Sequence, residues 1–190
     1  MATSIPELGE ARAVLATAQT DPLGAHVRAE HMLGAVSDLE TLATARYALG
    51  MALRTQGRLD KARRELRQAA DEALSHGFEA LGGRALLSLS GAEYMAGHYD
   101  EAIRVAEEAA GHLTGPDLAA CKVQMATFLS GRDRNQEALV MFDEAIEELI
   151  AAEARERLPL VHMNRALTLV DRGRLREAQH DLEEAWQVVE

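Results

Sequence analysis

The sequence predicts an all-α chain, a solenoid of antiparallel helical hairpins with about ten helices. Three observations predict it. A short phrase recurs four times in register, the apolar residues on either side of each copy keep helical spacing, and the apolar content comes from helix-tolerated residue types. Hydrophobic residues make up 47% of the chain and aromatics only 4%, so Ala, Leu, Val and Met supply most of the apolar surface. That composition favours close-packed helices over sheets.

The recurring phrase is G-R-L-D-K-A at Gly57 to Ala62, G-H-Y-D-E-A at Gly97 to Ala102 and G-R-L-R-E-A at Gly173 to Ala178, with a looser copy, D-R-N-Q-E-A, at Asp133 to Ala138. A second alanine follows seven residues later in every copy, at Ala69, Ala109, Ala145 and Ala185. Seven residues is two helical turns, so each pair of alanines lies on one stripe of one helix. The copies are spaced 40, 36 and 40 residues apart, which is a repeat period. Glycine at the head of the phrase suits a helix end, because it takes the left-handed conformation without a side-chain clash, and small alanines let two helices approach closely.

Helical spacing continues on both sides of each phrase. Upstream lie Leu42, Ala45, Leu49 and Leu53, then Leu86, Leu89 and Met95, then Val123, Ala126 and Leu129, then Val161, Ala166 and Leu169. Downstream lie Leu59 and Leu66, then Ile103 and Ala106, then Leu139, Phe142 and Ile146, then Leu175, Leu182 and Trp186. The expected organisation is one continuous domain over residues 1–190, with repeat hairpins at 39–77, 78–115, 116–153 and 154–190. Residues 1–38 read as a degenerate first hairpin: a helix from Glu7 to Thr20, then Asp21 as N-cap with Pro22 at the first position of a second helix running to Val36. Val14, Leu15, Ala18, Leu23, Val27 and Leu33 supply its apolar spacing.

Charge and composition exclude several functions. The net charge of -11, from 31 acidic and 20 basic residues, repels phosphate backbones and argues against nucleic acid as a partner. No apolar run approaches the roughly 20 residues of a membrane span, and Met1 to Leu8 lacks the features of a signal peptide, so a cytoplasmic location is expected. Cys121, the single cysteine, permits no internal disulfide and reads as a small buried thiol.

No constellation carries chemistry. His26 and His31 are five residues apart and face differently on a helix, and the other histidines are scattered, so no metal or cofactor is expected. The carboxylate pairs Glu107 and Glu108, Asp143 and Glu144, Glu147 and Glu148, and Glu183 and Glu184 are neighbours that do not face each other, and read as solvated outer faces. Nucleophile elbows, phosphate loops, dinucleotide fingerprints and zincin motifs do not occur. The chain is not expected to be an enzyme.

The order Leu49, Gly50, Gly57, Ala62, Leu66 and Ala69 resembles the tetratricopeptide (TPR) repeat, and the resemblance extends from Leu39 to Glu190. It departs from that pattern at Ser90, where a Gly or Ala is usual, at Asp133, where Gly is usual, and in a period near 40 rather than 34. The longer period implies helices longer by about one turn or longer links. The resemblance implies a right-handed superhelical solenoid with a concave face lined by the first helix of each hairpin, at the second, fifth, ninth, twelfth and thirteenth positions counted from Ala43, Gly83, Ala119 and Pro159. The partner-binding candidates on that face are Tyr47, Met51, Arg54, Arg84, Leu87, Tyr94, Met95, Val123, Met163 and Leu167. Either this Tyr and Met lining is buried between hairpins or it forms an open apolar groove. The Lys, Arg and Asn set of family members that clamp a C-terminal carboxylate is missing.

The function these features imply is a non-catalytic protein–protein interaction scaffold that holds a peptide or helix with apolar anchors. Arg54 and Arg84 on the same face imply acidic residues beside those anchors. The run G-R-L-D-K-A-R-R-E-L is similar to helical regions that precede caspase-like CHAT protease domains in actinobacteria, which implies a larger bacterial multidomain protein. Helical repeat regions of bacterial transcriptional regulators share this phrasing and make ligand or partner sensing the alternative. Leu182, Ala185, Trp186 and Val189 leave an apolar face on the last helix, suited to a second copy of the chain or a downstream domain.

Overall fold

The computed structural model describes residues 5–187; Met1–Ser4 and Val188–Glu190, including Val189 of the expected C-terminal face, lie outside the described residues. Those residues form ten α-helices and, among them, no strand. In order these are α1 (Ile5–Thr17), α2 (Pro22–Ala35), α3 (Leu39–Thr55), α4 (Leu59–Ser75), α5 (Glu79–Met95), α6 (Tyr99–Ala110), α7 (Gly115–Ser130), α8 (Asn135–Ala151), α9 (Leu158–Asp171) and α10 (Leu175–Gln187), with one 3₁₀ turn at Arg155–Arg157. They form two compact units divided between His112 and Leu113. In the first, each helix packs on the next and the first helices of the hairpins also touch, α1 on α3 and α3 on α5. In the second, α7 packs on α8, α8 on α9 and α9 on α10, with α7 also meeting α9.

The repeat phrase marks a chain reversal, as its glycine suggests. Gly57, Gly97 and Gly173 take φ of 73°, 84° and 70°. At each one the glycine N–H and the next N–H bond back to the closing turn: Gly57 N donates to Arg54 O and Arg58 N to Leu53 O, and the pattern repeats at Gly97 and Gly173. This satisfies two carbonyls that a helix end otherwise leaves open. The same geometry closes α4 at Gly77, α7 at Asp133 and α8 at Glu153. Asp133 and Glu153 hold φ of 60° and 56° with a side chain attached, a conformation costing about 1–2 kcal/mol that Gly would not incur.

The period of 40 comes from longer helices. α3, α4, α5 and α8 have 17 residues each, joined in the first unit by links of 56–58 and 76–78. The single spacing of 36 arises at α6, which has only 12 residues.

The seams follow the alanine pairs. Ala62, Ala69, Ala102, Ala109, Ala138 and Ala145 are completely buried, and Ala178 and Ala185 nearly so. Close approach reaches its limit at Gly50, where a Cβ would lie 2.7 Å from Leu66 Cγ, and at Gly82, where it would lie 2.5 Å from Leu74 Cγ. Ser90 tolerates its seam position because its hydroxyl donates to Leu87 O at 2.8 Å, so no buried donor is left open.

The first hairpin forms with its expected cap: Gly24 N donates to Asp21 Oδ1 at 3.0 Å, and Pro22 opens the helix. Its buried stripe differs from the expected one. Ala25, Ala29 and Met32 face inward while Leu23 and Val27 are exposed, because the small residues of α2 allow it to lie close to α3.

Candidate functional site

The candidate residues lie on the first helices of the hairpins, and neighbouring helices decide which of them a partner could reach. In the first unit α3 is held by α1 on one side and α5 on the other. Tyr47 and Met51 are therefore buried, at 8% and 7% exposure, rather than open to a groove. The Tyr47 hydroxyl and Ser88 Oγ lie 2.9 Å apart in the interior, giving the phenol the polar partner it needs when desolvated. These two side chains are core.

The rest of the first-unit set remains nearer solvent. Leu87 and Tyr94 are half-buried, Arg84 is exposed, and Met95 is 58% exposed. Tyr94 stacks edge-on against Tyr99, with ring centroids 5.2 Å apart, across the α5–α6 turn. A hollow of about 450 Å³ brings Arg84 and Tyr47 together with Arg12, Leu15, Glu40, Thr44 and Leu81, and Arg12 donates to Glu40 Oε1 at 2.9 Å on its rim. Arg54 is half-buried in the last turn of α3, and its Nη1 reaches the Ser88 carbonyl at 3.4 Å. Desolvation pushes its pKa down, a shift that the nearby Tyr47 partly opposes.

In the second unit, Val123 of α7 is half-buried, whereas Met163 and Leu167 of α9 are 52% and 66% exposed. Leu160 and Val170, at 63% and 48%, extend them into one stripe. The spacing 160, 163, 167, 170 keeps all four on one helix face, the pattern of a narrow seam that receives another helix. Beside this stripe Thr168 is buried and donates to Ser130 Oγ at 3.2 Å, tying α9 to α7.

Three of the four carboxylate pairs are more than solvated outer faces. Glu108 accepts from Arg67 at 3.0 Å, Glu144 and Glu148 lie 3.1 and 3.7 Å from Lys122 Nζ, and Asp143 takes a bond from Arg165. A rule emerges from these contacts. The fourth repeat position, counted from Ala43, Ala119 and Pro159, is basic in three repeats, at Arg46, Lys122 and His162, and each of these meets acid on its own second helix. Sequence reading missed this clasp, although the recurrence of a basic residue at that position was its visible signal.

The most enclosed clasp holds Asp181, which is fully buried. Arg165 donates to its two oxygens at 2.8 and 2.6 Å, and His162 Nδ1 lies 3.0 Å away. Burial alone would raise the Asp181 pKa, but the bonds from Arg165 and His162 outweigh it and hold the carboxyl below its ordinary value. The second repeat has Leu86 at the clasp position and uses Glu93 instead, buried between Arg63 and His98 at 2.8 Å from each. Cys121 is fully buried, and desolvation drives its thiol pKa up to about 11, away from nucleophilic chemistry. Among the described residues no group of three or more His, Cys, Asp or Glu could hold a metal ion, and no helix is long and apolar enough to cross a membrane.

Residues 43–76, from the Ala43 used above as the first repeat position through α4, match the tetratricopeptide repeat family. Solved structures extend the likeness over the whole chain. The fold is a tetratricopeptide-type helical array. A Podosopora anserina kinesin light chain of nearly identical TPR-like repeats has a TM-score of 0.71 at 15% identity, with 97% of each chain covered. BtubC from P. vanneervenii has a TM-score of 0.67 at 16% identity, covering 92% of this chain and 72% of that one. YrrB, described as a TPR protein with an unusual peptide-binding site, has a TM-score of 0.58 at 17% identity over 98% of this chain and 86% of its own. No curated protein matches the sequence. Arrays of this kind stack repeated hairpins so that each contacts only its neighbours.

Proposed function

We propose that this TPR-type chain is a non-catalytic interaction scaffold whose inner helices hold a segment of another protein. The observation that carries the reading is the α9 stripe of Leu160, Met163, Leu167 and Val170, four large apolar side chains about half or more exposed on one helix face. Contiguous exposed apolar surface is costly to leave in water and marks interaction sites. Its spacing suits an amphipathic helix laid along it, with Met adapting to the partner's contour. The peptide-binding site in the name of the YrrB structure supports the same use of this fold.

The test is a random 12-residue peptide library displayed on phage, panned on the intact chain and on Met163→Ser/Leu167→Ser. Both positions are exposed, so the variant should fold with unchanged circular dichroism and melting temperature. Selection of peptides with helically spaced apolar residues by the parent, and their loss on the variant, supports the scaffold. Peptides that bind both proteins equally would move the binding surface elsewhere. The wider role as the repeat region of a CHAT-domain protein belongs to the same proposal, and the coding sequence around the repeats tests it: an adjoining domain with a His and Cys pair supports it, and any other neighbour removes it.

A further inference from the structure

We propose that Arg54 is a receptor for an acidic side chain, an Asp or Glu within the protein segment bound at the inner face of the first unit. The proposal rests on the reading that the chain holds a segment of another protein, and it concerns the first unit by itself. Five arginines are left half-buried by the fold: Arg46, Arg54, Arg63, Arg67 and Arg165. Four of them sit against carboxylates, Arg46 on Glu65 and Glu72, Arg63 on Glu93, Arg67 on Glu108 and Arg165 on Asp181, at 2.6–3.0 Å. Arg54 does not. Among the described residues its single hydrogen bond is the 3.4 Å contact of Nη1 with the Ser88 carbonyl, and none of their acidic groups lies within ion-pair distance.

A guanidinium taken partly out of water without a counter-charge is destabilising, which is why its pKa falls. The C-terminal end of α3 offsets only part of that cost, because a helix end supplies a partial charge. The chain has 31 acidic residues and places carboxylates beside every other half-buried arginine, so the exception at Arg54 is not for want of acids. Arg54 is half-buried and not sealed, so part of the residue stays in contact with solvent. A partly desolvated, fork-shaped donor with one long hydrogen bond suits a carboxylate, which it can take in two parallel bonds that are stronger in a partly dry site than on an open surface. The neighbouring polar groups are themselves engaged: the Ser88 carbonyl accepts from Arg54 Nη1, and the Ser88 hydroxyl lies 2.9 Å from that of Tyr47.

The experiment pans the same displayed peptide library on the intact chain and on Arg54→Met, which keeps the apolar stem and removes the charge. The parent should select peptides in which an Asp or Glu recurs at a fixed position. A selected peptide with that acid changed to Asn or Gln should lose about tenfold or more in affinity for the parent, and little for Arg54→Met. Arg54→Met should melt at or above the parent temperature, since a poorly solvated charge has been removed, and Arg54→Glu should shift selection toward Lys or Arg at the same position. Apolar peptides with no fixed acid would overturn the inference and leave the scaffold standing, whereas a library that yields no binder would remove both. An acid preference that survives Arg54→Met, or a variant that fails to fold, also overturns it, the latter because Arg54 would then be a structural residue.

Discussion

Tyr47 and Met51 of α3 occupy the same repeat positions, fifth and ninth, as Met163 and Leu167 of α9, yet the first pair is 8% and 7% exposed and the second 52% and 66%. The residue types are alike and the helices are built from the same repeat. What differs is the company: α3 is packed on by α1, α2, α4 and α5, while α9 meets α7, α8 and α10. A repeat position therefore specifies which way a side chain points, and the adjacent hairpins decide whether it becomes core or exposed surface. In the first unit the extra cover converts two expected lining residues into packing.

That contrast can be broken most sharply by truncation. Tyr47→Ala should destabilise the first unit by about 3–5 kcal/mol in urea unfolding, since it empties a buried aromatic site and strips Ser88 of its partner. Leu167→Ala should stay within about 0.5 kcal/mol of the parent. Equal costs at the two positions would mean that the α9 stripe is covered in solution. Seams should resist enlargement in both units: Ala102→Leu and Ala138→Leu should each cost about 1–3 kcal/mol, and Gly50→Ala a similar amount, because Leu66 lies too close to yield.

A smaller effect of opposite sign is expected at the turns. Asp133→Gly should stabilise the second unit by about 1 kcal/mol by relieving a left-handed residue, while Gly57→Ala in the first should destabilise by about as much. The acid response should also differ along the chain. Asp181 has a folded pKa below its unfolded one, so its contribution is complete above the ordinary carboxylate range and is lost as pH falls through the lowered folded value. Asp181→Asn should flatten that acid limb of the stability curve. Modification of Cys121 by a thiol reagent at neutral pH should be undetectable until the chain unfolds.

Much of the fold was legible because its determinants are local. Gly57, Gly97 and Gly173 announce their turns, paired alanines announce the seams, and the phrase spacing gives the period. Even the departures carried information, since Asp133 keeps the left-handed turn without glycine and Ser90 satisfies its own hydroxyl. The candidate surface was legible only in part. Sequence position placed Tyr47 and Met163 on equivalent sites, but exposure depends on contacts between hairpins that no local pattern encodes. The ionic clasps fell between these cases, for Arg46, Lys122 and His162 share a repeat position while their acids do not.

The central claim, that equivalent first-helix positions are sealed in the first unit and open in the second, is tested most directly by methionine oxidation followed by peptide mass spectrometry. In the free chain Met95 and Met163, at 58% and 52% exposure, should convert to sulfoxide rapidly, while Met51, at 7%, should oxidise only as fast as the chain opens. Adding a peptide selected on the chain should then slow Met163 and leave Met51 unchanged. Oxidation of Met51 at the rate of Met163 in the free chain would contradict the account.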